Sequence, residues 1–101
     1  MNYEKRKENR EKATEAAKNL IDILRPASFN LDEMIKESKQ NYIDSLNRWN
    51  EAHEANDKRA KDLASKSCDI WESAQEKYQT ELETIEDVIR FAKRLIPGKQ
   101  Y

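Results

Sequence analysis

The chain has 101 residues, 39% charged and 37% hydrophobic, with one Gly, two Pro, one Cys and a formal net charge of −1. That length admits one domain with one modest core, and the even balance of charge excludes both a strongly basic nucleic-acid face and an acidic mimic of one. No run of apolar residues is long enough to span a membrane, and the charged opening "MNYEKRKENREK" has no apolar stretch behind it to make a signal peptide.

Composition favours helix throughout, because Ala, Leu, Glu, Lys, Gln and Arg lose little freedom in that geometry and turn formers are scarce. The expected fold is all-α: helices over about 4–25, 31–60 and 66–96, forming an antiparallel hairpin or three-helix bundle that a coiled-coil-like homodimer completes. Residues 1–12 form a charged, partly frayed arm, residues 13–97 a single helical-bundle domain, and residues 98–101 a tail.

In the first segment Ala13, Ala16, Ala17, Leu20, Ile21 and Leu24 recur at helical spacing. Before them the arm alternates charge, with Glu8 and Lys12 placed as a favourable i,i+4 pair. Pro26 disfavours helical geometry at Arg25 and supplies no backbone donor, so the first helix is expected to stop there. Asn30 as N-cap, Glu33 at N3 and a Phe29–Met34 staple mark the restart.

From Leu31 a stripe runs through Ile35, Ser38, Tyr42, Leu46, Trp49, His53, Asn56, Ala60, Leu63, Ser67, Ile70, Ala74, Tyr78, Leu82, Ile85, Ile89 and Ala92 to Ile96, with a mean step near the helical 3.6. The stripe weakens around Asn56 and Asp57, whereas equal arms place the tip near 63, with Ser67 or Asp69 as cap. The turn is therefore expected within 56–68. An unbroken helix from 31 to 96, pairing with a second copy, would make the same contacts between chains. The last helix has the widest apolar face: Ile85, Val88, Ile89, Phe91, Ala92, Leu95 and Ile96. A face so broad suits two neighbours rather than one. In a hairpin Ile96 would lie beside Leu31, with Leu24 returning to the same end, and Pro97-Gly98 closes the helix.

Candidate sites are few. His53 lies near Glu51, Glu54 and Asp57, but helical di-metal centres use paired Glu-x-x-His repeats on separate helices, and here there is no second copy. No metal, no cofactor and no catalysis are expected. Cys68 has no Cys-x-x-Cys partner and reads as a small seam residue in a reducing, cytoplasmic setting. Trp49, Trp71, Tyr78 and Phe91 are the candidate partner-binding residues, since Trp and Tyr are enriched in binding hot spots. A length-matched hairpin would set Trp49 against Tyr78 and Trp71 against Asn56. Lys5, Arg6, Lys7, Arg10 and Lys12 are candidates for an anionic membrane surface or nucleic acid, although Glu4, Glu8 and Glu11 interrupt them.

Two short stretches carry partial resemblances. Trp49-Asn50-Glu51 stands near mid-chain, where it resembles the Trp-x-Gly turn of small secreted helical hairpins without its Gly. Residues 57–79 are similar to helices of membrane-curving F-BAR domains but lack the basic face that likeness would imply. The function expected from the whole is non-catalytic protein binding, as a small adaptor, inhibitor or chaperone-like module, with another protein as partner and a homodimer as the resting state. The alternatives are the anionic-surface module and the secreted hairpin.

Overall fold

A computed structural model describes residues 3–98. The last three residues of the expected tail lie outside it. Among the described residues there are two α-helices, α1 (Tyr3–Glu54) and α2 (Lys58–Arg94). The all-helical expectation holds, and the three-helix division over 4–25, 31–60 and 66–96 is corrected. Helix α1 passes through Pro26 without a break, so Asn30 and Glu33 are interior residues rather than a cap. A proline there removes one hydrogen bond and crowds the carbonyl four residues back. Pro26 and Asp22 are both exposed, so water can serve the carbonyl that loses its donor. Leu24 and Ser28, on either side of the proline, are half-buried.

The turn falls at 55–57, at the polar waist and ahead of the arm-length midpoint, and it rules out an unbroken 31–96 helix. Its chemistry is local. Asn56 takes the left-handed conformation with φ 55°, a region where asparagine is among the few non-glycine residues found. The Asp57 N–H then donates to the Ala52 carbonyl at 2.9 Å and the Asn56 N–H to that of His53 at 3.2 Å, a Schellman closure of α1. Asp57 also starts α2: its Oδ1 accepts from the Ala60 N–H at 3.1 Å, as an N-cap does. Sequence inspection favoured Ser67 or Asp69 for that role, yet both lie inside α2.

By internal contacts the chain divides into two units, one made of residues 1–29 with 83–101 and the other of residues 30–82. In the second unit α1 and α2 run antiparallel from the turn, and Ser45 Oγ meets Ser67 Oγ at 2.6 Å. That register corrects both aromatic pairings: Trp49 falls level with residues 63–64 and Trp71 with residues 41–42. The buried positions of α1 here are Leu31, Ile35, Ser38, Ser45 and Ala52, with Tyr42 and Trp49 half-buried among them. They alternate steps of four and three, the 3.5-residue period of a coiled-coil seam, rather than the 3.6 expected.

The difference moves the seam sideways. Ser45 is 2% exposed and Leu46 41%. Similarly, Ala52 is buried in place of His53, Ala64 in place of Leu63, and half-buried Trp71 replaces Ile70. Small side chains at Ser38, Ser45, Ala52, Ala60, Ser67 and Ala74 recur every seven residues on each helix, as close approach of two backbones requires.

In the first unit Ala17 and Ile21 of α1 pack with Ala92 and Ile96, and Ile89 joins from the side. Ile96 thus has Ala17 and Ile21 as neighbours where Leu31 was expected. Thr14 Oγ1 lies 2.9 Å from the Arg10 carbonyl of its own helix and 3.3 Å from the Leu95 carbonyl across the pair, so its single proton is shared between them, with the shorter bond inside α1. The i−3 bonds from the N–H groups of Leu95 and Ile96 tighten the end of α2.

Candidate functional site

Each unit carries its own candidate surfaces. In the 30–82 unit, Trp49 is half-buried beside the turn and stacks on His53 with ring centroids 5.0 Å apart and planes 6° from parallel. Lys61 Nζ, reaching from α2, lies 4.9 Å from the same ring. This indole is therefore pinned by its own helix and by its neighbour, which suits a fixed edge better than a swinging anchor. His53, expected in the seam, is exposed and serves as a stacking partner.

Two shallow grooves flank the seam of that unit. One, of about 470 Å³, is lined by Arg48, Ala52, Ala55, Leu63, Ala64 and Ser67, among others. The opposite one, of about 240 Å³, includes Tyr42, Leu46, Trp49 and Cys68. The lining residues follow a rule of antiparallel pairs: the positions just before Trp49 and Ala64 share one side, and the positions just after Ser45 and Ser67 share the other. Trp71 and Tyr78 are half-buried on the seam itself, and Cys68 is half-buried on the flank. Leu63 and Ile70 are 60% and 63% exposed. Arg48, Asn41 and Lys77 occupy the matching flank positions, so that side is mixed in polarity.

In the other unit the same rule gives a sharper division. Leu20 directly precedes seam residue Ile21, and Val88 and Leu95 directly precede Ile89 and Ile96. Ile23 and Phe91 lie two residues after Ile21 and Ile89, on the same flank. All five are exposed, Ile23 by 69% and Phe91 by 61%, and Ala13 and Ala16 extend the row. The opposite flank holds Lys18, Glu86, Arg90 and Lys93, the last three around a small hollow. One side of this unit is thus apolar and the other charged.

The basic arm belongs to the same unit. It is helical from Tyr3 and exposed along residues 3–12. Lys12 pairs with Glu8 at 3.2 Å as the spacing implied, while Lys7 and Arg10 share a hollow of about 530 Å³ with Tyr3, Glu11, Glu15 and Lys18. The arm therefore presents alternating charge rather than a basic face.

Of the four aromatic candidates, Phe91 alone is exposed; Trp49, Trp71 and Tyr78 are half-buried at separate points along the other unit. Sequence inspection missed Leu20, Ile23, Val88 and Leu95 as a surface. Their signal was present as a second row in α1, at 13, 16, 20 and 23, beside the first. Among the described residues no group of His, Cys, Asp or Glu is arranged to hold a metal ion, and no helix is long and apolar enough to cross a membrane. No family model matches the chain, and no curated protein or solved structure matches it.

Proposed function

We propose that the chain is a non-catalytic protein-interaction module, an adaptor, inhibitor or chaperone-like protein that recognises helical partners through exposed helix faces and also self-associates as a homodimer. The observation that carries this reading is the distribution of large apolar side chains. Among the described residues twelve are exposed, including Ile23, Leu63, Ile70 and Phe91, and several stand in rows along one flank of a helix pair rather than singly. Rows of that kind mark interaction surfaces, and an amphipathic helix laid along them would be read through contacts at i, i+3, i+4 and i+7.

Titration with an amphipathic Leu-rich helical peptide, followed by sedimentation and by Trp fluorescence, tests the reading. Saturable association that persists at high salt is expected. A chain that binds neither the peptide nor itself would contradict it. The anionic-surface alternative draws on the exposure of Lys5, Lys7 and Arg10. It predicts binding to phosphatidylserine vesicles or DNA that salt abolishes, and no binding at low salt would dismiss it.

A further inference from the structure

We infer that the apolar flank formed by Leu20, Ile23, Val88, Phe91 and Leu95 is the self-association surface of this chain, and that its occupant is the same flank of a second copy. The inference deepens the helix-face reading above and rests on it. Helix α2 turns only one edge of its broad apolar face, Ile89, Ala92 and Ile96, into the seam with Ala17 and Ile21. Val88, Phe91 and Leu95 are left as the edge for which a further neighbour is missing. In a two-fold arrangement the second copy supplies two such neighbours, giving four helices around one core where a single unit has two.

Area and charge both favour a second copy. With roughly 200 Å² for a fully exposed large residue, the exposed fractions of the five amount to about 500 Å² per copy, so a two-fold contact that covered them completely would bury about 1,000 Å² before its rim is counted. That reaches the threshold for a specific interface, whereas no other described flank has an uninterrupted apolar row of this size. None of the five is ionisable, and the bordering residues are Lys12, Asn19, Pro26, Asp87 and Arg94. Lys12 is paired with Glu8 and Asp87 with Arg90, which leaves Arg94 as the one other bordering charge on each copy. An identical surface therefore brings little like charge to the contact, while a strongly basic or acidic partner would find nothing to read.

The test is size-exclusion chromatography with light scattering over about a hundredfold range of concentration, on the full chain and on Phe91→Glu, Ile23→Glu, Leu63→Glu and Ile70→Glu. The first two substitutions lie on different helices at exposed positions, and circular dichroism checks that helix content survives in each. The natural chain is expected at about 24 kDa, twice its 12.0 kDa. Phe91→Glu and Ile23→Glu should halve that mass, and Leu63→Glu and Ile70→Glu should leave it unchanged. A monomer at every concentration would overturn the inference, and the peptide titration would then decide separately whether the helix-face reading survives. A dimer dissolved by Leu63→Glu or Ile70→Glu but not by Phe91→Glu would place association in the 30–82 unit, overturning the inference and leaving the broader reading intact.

Discussion

Ser45 and Leu46 are neighbours in sequence and opposites in burial. A reading by size places the leucine inside, but closely approaching helices have room only for the serine. Its hydroxyl lies 2.9 Å from the Asn41 carbonyl and 2.6 Å from Ser67 Oγ. One hydroxyl has one proton to give, so when Ser45 donates to the carbonyl, Ser67 donates to Ser45. The pair is satisfied without water. Ser45→Leu is expected to destabilise by about 1–3 kcal/mol through overpacking, and Leu46→Ser by about 0.5 kcal/mol or less, as exposed positions usually do. Urea unfolding followed by circular dichroism separates the two. Larger loss at Leu46 would mean that the 3.6-residue stripe, with Leu46 and His53 inside, was right after all.

Helix boundaries show which signals governed the elements. Pro26 and the Asn30–Glu33 box look like a stop and a start, but α1 continues through both. Pro26→Ala should therefore restore a helical hydrogen bond and raise stability, by up to about 3 kcal/mol less what the freer unfolded chain recovers. A lowered urea midpoint would show that the proline is needed where it stands. At the turn, Asn56-Asp57 was read as polarity and not as a double cap, although Asn is the residue that most often replaces Gly at a helix C-terminus and Asp is a preferred N-cap. Asp57→Ala should cost about 1 kcal/mol through the lost N-cap. Asn56→Gly, which accepts the same backbone angle, should change the midpoint by much less.

For the molecule as a whole, composition gave the helical class. The number of helices was not legible, since it hung on one proline. Nor was the choice of flank, because Leu20, Ile23, Leu63 and Ile70 look like core until close backbone packing excludes them. The ion pairs at Lys12–Glu8, Lys36–Glu33 and Arg90–Asp87 are all exposed, and such pairs contribute about 0–1 kcal/mol each. Added salt should consequently move the melting temperature little. A pronounced loss of stability in salt would mean that charge carries more of the fold than burial does.

The turn at Asn56-Asp57 also sets an order of events in time. Ser45 and Ser67 are 22 residues apart in sequence, whereas Thr14 and Leu95 are 81 apart, and closing the longer loop from an open chain costs about 1 kcal/mol more in entropy. Contacts nearest the turn form at least expense, and each one shortens the loop left for the next. Folding should therefore zip outward from residues 52–60, with the pairing of Ala17 and Ile21 with Ala92 and Ile96 made last and, in unfolding, lost first. Pulsed hydrogen exchange should find the amides of 38–49 and 64–74 protected earlier than those of 14–24 and 88–94.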